Sequence, residues 1–146
     1  MTVLRPATPL DAGRVGAILS AWIDETPWMP RIHTRAEDIA HASMMVDRGW
    51  VTVSVDEAVT GFLARDADDI HALYIAPEAR GQGTGSQLLT HAMRTEPKLT
   101  LWTFQANLSA QSFYQRHGFV EIERTDGAGN DEGLPDIRYD WQRTTP

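Results

Sequence analysis

Three glycines at alternate positions, Gly81, Gly83 and Gly85, separate the strand-like run Ile70 to Ile75 from an amphipathic stretch with Leu88, Leu89, Ala92 and Met93 on one face. A chain that passes from strand to helix through such a turn can take left-handed backbone angles and let a ligand approach its N–H groups closely. The first turn of the helix adds unpaired donors and a partial positive charge, which together suit a phosphate or pyrophosphate. Spacing narrows the choice. A P-loop needs Gly-Lys-Ser/Thr at its end, but Gly85 is followed by Ser86 and Gln87. The dinucleotide fingerprint needs G-x-G-x-x-G in a first strand–helix unit, whereas here the pattern is G-x-G-x-G after the fourth strand.

The remaining segments alternate in kind. Thr2 to Arg5 is a short strand, and Thr8-Pro9-Leu10-Asp11 opens a helix carrying Val15, Ile18, Leu19 and Trp22 on one face. Thr34 and Glu37 form a capping box for a second helix running towards Gly49. Trp50 to Val55 and Val59 to Arg65 pair as a hairpin, followed by the strand ending at Ile75. Beyond the glycine helix lie a strand over Leu99 to Phe104, a helix from Asn107 to Gly118, and strands over Phe119 to Arg124 and Asp136 to Trp141. This order predicts an α/β fold: a mixed, mostly antiparallel central sheet of about seven strands with helices on both faces. The strands at Leu73 and Leu101 should run parallel, joined by a right-handed crossover. No linker or repeat divides residues 1–146, so one domain is expected.

Composition excludes several classes. There is no cysteine, hence no disulfide, thiolate–zinc site or cysteine nucleophile. The formal charge of −7 and the lack of a basic patch argue against nucleic-acid binding. No apolar run reaches the ~20 residues of a membrane span and no signal peptide is evident, so a cytoplasmic protein without a membrane partner is expected. A homodimer is compatible with the sequence but not required by it.

Arg80-Gly81-Gln82-Gly83-Thr84-Gly85 resembles the R/Q-x-x-G-x-G/A motif of the GNAT superfamily of N-acetyltransferases. Asn107, Ala110, Phe113-Tyr114, Gly118 and Phe119 resemble its second signature, in the same order and spacing. The resemblance implies acetyl-CoA as cosubstrate, no metal, and direct transfer of acetyl to a primary amine of a small molecule or peptide. By the same resemblance, the cofactor contacts are Arg80 and the backbone from Gly81 through Gln82, Gly83 and Thr84 to Gly85 for the pyrophosphate. Backbone groups of Leu73, Tyr74 and Ile75 hold the pantetheine arm in a gap opened by a strand bulge, and Asn107 touches that arm. Tyr114 is the general acid for the departing thiolate. Gln82 and Thr84 depart from the family's usual basic and aliphatic residues, but the backbone cradle depends on neither side chain. A non-catalytic acyl-CoA-binding module, or a site for another phosphate-bearing ligand, is the alternative.

The acceptor side carries no motif. Asp69, His71, Leu73 and Ile75 alternate and should share one strand face, making Asp69 or His71 the candidate base. The loop around Glu25 and Trp28, and the acidic loop over 125–135 with Asp131 and Glu132, are candidates to hold a cationic amine through carboxylates and an aromatic face. Trp102 and Phe104 alternate on their strand and are expected in the core.

Overall fold

The computed structural model describes residues 1–144; the last two residues of the expected 1–146 domain lie outside it. The elements are β1 (Val3–Pro6), a 3-10 turn (Pro9–Asp11), α1 (Ala12–Glu25), α2 (Arg35–Asp47), β2 (Val51–Asp56), β3 (Ala58–Asp66), β4 (Asp69–Ile75), α3 (Thr84–Thr95), β5 (Lys98–Phe104), α4 (Leu108–Arg116), β6 (Val120–Thr125) and β7 (Asp136–Gln142). A 3-10 turn comes first where the sequence predicts a helix from Thr8.

The seven strands form one sheet in the order β1-β2-β3-β4-β5-β7-β6. Every neighbouring pair is antiparallel except β4 and β5, which are parallel as the crossover requires. One face carries α1 and α2 over Val53, Phe62 and Ala64. The other carries Leu88 and Leu89 of α3 and Tyr114 of α4, over Leu63, Leu99, Leu101 and Ile137.

Two local devices fix the ends of α1. At its start, Arg5 clamps Asp11 through two bonds of 2.8 and 3.1 Å, and the Thr8 N–H adds a third at 2.8 Å. The Arg5 hydrogen bonds outweigh burial and hold the Asp11 carboxyl down at about 2. Because this folded value lies below the unfolded one, the stabilisation is complete above pH ~4 and is lost as pH falls through about 2. Asp11→Asn should therefore lower stability at neutral pH and flatten the acid limb between pH ~4 and ~2, as read by denaturant melts across pH. At the other end, Arg31 ties the loop after α1 back onto both helices. Its guanidinium donates to Asp24 (2.9 Å), to the buried Asp38 (2.9 Å) and to the Ser20 hydroxyl (2.7 Å).

The sheet carries one irregularity that bears on the site. Ala64 lies opposite Ala72 but Arg65 lies opposite Ile70, so His71 is an extra residue in β4. The bulge reverses the side-chain alternation. Leu73 and Ile75 consequently share a face with Ile70, beneath α3, whereas Ala72 and Tyr74 pack towards α1. The expected single face of Asp69, His71, Leu73 and Ile75 is thus broken at His71.

Candidate active site

The glycine turn has the backbone its sequence requires. Gly81 and Gly83 sit at φ 76° and 80°, in the left-handed region, and Gly83 is the residue from which α3 starts. Gly85 lies inside the helix, where a Cβ would stand 3.6 Å from the Phe113 ring. The first backbone bond returned to the turn is from Gln87 N–H to the Gly83 carbonyl, 3.0 Å. Among the described residues, no acceptor takes the N–H groups of residues 81–86, so a row of donors faces outward. Arg80 stands beside this row, its Nε donating to the Ile75 carbonyl at 3.1 Å and its guanidinium paired with Glu25. Glu25 is therefore engaged with the turn and does not stand alone on the acceptor side.

From the turn a gap runs between β4 and β5. Their pairing reaches only Asp69 opposite Thr100, with a bond of 2.8 Å from Thr100 N–H to the Asp68 carbonyl. Beyond that point the strands part around a space of about 90 Å³, lined among others by Leu73, Tyr74, Leu101, Asn107 and Tyr114. The Asn107 Oδ1 caps α4 by accepting from the Ala110 N–H at 3.1 Å, which fixes the side chain beside the gap. Tyr114 is buried, its ring edge-on to Phe113 at 5.2 Å and to Phe119 at 5.4 Å. Burial, and then the neighbouring Tyr74, push its phenol well above the ordinary tyrosine value. Its proton is retained across the physiological range.

A larger cavity, about 690 Å³, adjoins the gap on the α1 side of the sheet. Its walls include His71, Trp102 and Phe104 from the strands and Asn130, Asp131 and Glu132 from the loop before β7. Trp102 is 48% exposed here, so it is a cavity wall and not the core residue its alternation suggests. The reason is that α1 and α2 cover β2 to β4 only, leaving this face of β5 open. Phe104 is half-buried against Trp28, 5.7 Å between centroids, and Trp28 in turn meets Trp22 at 5.9 Å. Trp22 contacts Tyr74 at 5.0 Å, so aromatic rings span the mouth of the gap from β4 to β5. His71 stacks flat on Trp50 at 4.8 Å, and its Nε2 lies 3.6 Å from Asp69 Oδ2. His71 lines both spaces and Asp69 lines neither.

The loop over 126–135 is built rather than merely solvated. Asn130 donates to the Leu134 carbonyl (2.7 Å) and to Asp136 (3.2 Å), and accepts from the Leu134 N–H (3.2 Å). Gly127, at φ 86°, lets the backbone close against Leu134, where any Cβ would collide. Asp131 and Glu132 are thereby held at the rim, with no ion-pair partner among the described residues. A glycine-rich sequence hides this order: only an asparagine between glycines hinted at a turn clamp.

Residues 32–121 match the acetyltransferase (GNAT) domain family, well over half of the chain. The chain belongs to the GNAT family. The peptidyl-lysine N-acetyltransferase YjaB of Escherichia coli is 31% identical to this GNAT protein over 73% of the chain and 74% of its own length. YjaB of Salmonella typhimurium is 35% identical over 53% of each chain, so the match spans about half of that relative. The apo structure of E. coli YjaB superposes with a TM-score of 0.81, at 23% identity and 99% coverage of both chains. YncA of S. typhimurium, solved with its cofactor acetyl-CoA, superposes at 0.76 and 19% identity, covering 100% of this chain and 96% of YncA. Acetyl-CoA-dependent acetyl transfer is the chemistry of this GNAT chain. No group of three or more metal-ligating side chains occurs among the described residues, and no described helix is long and apolar enough to cross a membrane.

Proposed function

We propose that this GNAT enzyme moves acetyl from acetyl-CoA directly to a cationic primary amine, with a peptide lysine as the acceptor class. The observation that carries this reading is the cavity next to the β4–β5 gap. It combines an exposed indole with two acids at its rim, while His71 stands where the cavity and gap meet. The relatives named as peptidyl-lysine acetyltransferases point to the same acceptor.

The outward N–H row at 81–86 holds the pyrophosphate, with Arg80 beside it, and the pantetheine arm lies in the gap past Leu73, Tyr74, Ile75 and Asn107. His71, turned by Asp69, takes a proton from the ammonium, directly or through a water. The freed nitrogen attacks the thioester carbonyl carbon, whose oxygen is stabilised by backbone N–H groups of β4. The C–S bond then breaks, and the electron pair leaves on sulfur against the Tyr114 hydroxyl. The products are the amide, CoA thiol and one proton released to solvent. The acids act at the rim, away from the reacting nitrogen, because a carboxylate beside it would raise the amine's pKa and oppose deprotonation.

Kinetics on an Asp131→Asn/Glu132→Gln double variant with a lysine peptide test the acceptor half. KM for the peptide should rise about three- to tenfold at low ionic strength and less at higher salt, with KM for acetyl-CoA unchanged. An unchanged peptide KM, or preference for a neutral or anionic acceptor, overturns the cationic-amine reading.

A further inference from the structure

Thr103 is 93% buried in this sense: 7% of its surface remains exposed. Its Oγ1 has no hydrogen-bond partner among the described residues. A buried hydroxyl in that state costs free energy unless something else completes it. Its position indicates what that is. On β5, Leu99, Leu101 and Thr103 alternate towards the α3–α4 side and Trp102 and Phe104 towards the acceptor cavity, whose wall Thr103 also touches. Thr103 lines the gap together with Asn107, Ala110 and Tyr114, at the end where the strands have parted. Its partner on β7, Ile137, offers no hydrogen-bonding side chain.

We propose that Thr103 is a cofactor-binding side chain whose hydroxyl pairs with an amide of the pantetheine arm. A hydroxyl can donate to an amide carbonyl or accept from an amide N–H, so it suits either edge of that group. Asn107 approaches the same space from the α4 side with its amide nitrogen still available, because only its Oδ1 is used in the cap. The two side chains bracket the arm from β5 and α4, opposite the β4 backbone. The inference rests on the acetyl-CoA reading of the gap and adds the residue that fixes the arm laterally within it.

Two variants and two probes test it in the full chain. Thr103→Val keeps the shape and removes the hydroxyl; Thr103→Ser keeps the hydroxyl. The probes are CoA and adenosine 3′,5′-bisphosphate, which has the nucleotide end but no pantetheine arm. Thr103→Val should raise the Kd for CoA about five- to tenfold, the effect of one lost hydrogen bond, and leave the Kd for the bisphosphate unchanged. Thr103→Ser should bind CoA within about twofold of wild type. The melting temperature of free Thr103→Val should equal or exceed that of wild type, because a methyl replaces an unpaired polar atom. An unchanged CoA Kd in Thr103→Val overturns the assignment while leaving the acetyl-CoA reading intact. So does an equal loss for the nucleotide without the arm, or a marked fall in free-protein stability, since either makes the hydroxyl a structural group. A wild-type chain that binds no CoA would remove both.

Discussion

Tyr114→Phe should lower kcat about a hundredfold while moving the Kd for acetyl-CoA by less than about threefold. The ring sits edge-on to Phe113 and Phe119 in an apolar cluster, so phenylalanine preserves the packing and the fold. What it removes is the hydroxyl proposed to meet the leaving group. Burial sets how that hydroxyl works. A phenol whose pKa is raised by desolvation resists becoming a phenolate, so it is a persistent hydrogen-bond donor and a reluctant proton source. In the proposed role Tyr114 stabilises charge as it grows on sulfur, a contribution realised in the transition state and hardly at all in the bound thioester. The measurement is single-turnover transfer alongside equilibrium cofactor binding. Unchanged single-turnover rates would remove Tyr114 from the mechanism.

His71→Gln should lower kcat/KM about a hundredfold or more near neutral pH, and the deficit should shrink as pH rises towards 10. The sign follows from the acceptor. An alkyl ammonium with pKa about 10 arrives protonated at neutral pH and needs a base, whereas in alkali a growing share arrives ready to attack. A variant that only misplaces the substrate would show a deficit independent of pH. Asp69→Asn is the companion: it should cost less, because Asp69 reaches neither space and its proposed role is only to position His71 through their contact. If Asp69→Asn shows the pH-dependent loss and His71→Gln does not, the two roles are reversed.

Much of the fold was legible because local signals coincide. Thr34 with Glu37, Asn107, and Gly118 mark helix ends, and the β-branched runs between them leave little choice of strands. The glycine turn was legible for the same reason, since Gly81 and Gly83 need the angles they adopt. What stayed hidden depends on distant partners. Alternation placed Trp102 and Phe104 together but could not say which face of β5 the helices leave bare. Glu25 looked like a free rim acid until Arg80 was brought to it from more than fifty positions away. Thr103 carried no signal, because a threonine in a strand is ordinary until its hydroxyl is found without a partner. Counting by twos along β4 failed at His71, where the strand inserts a residue.

That inserted residue makes the opening in the sheet a matter of chain length and not of any one side chain. Substitutions at position 71 change what lines the breach but do not heal it, since the spare backbone unit stays. Excising the residue would put β4 back in step without turning any side chain over: Ile70 would stay beneath α3 and Ala72 would follow it towards α1. The two ends of the strand are written in opposite phase by residue number, and the slip at position 71 is what lets Ile70 and Leu73 share a face. Substitution at position 71 can change the chemistry there with the slot intact, while a single-codon loss would remove the bulge and leave each apolar residue of β4 on its own face.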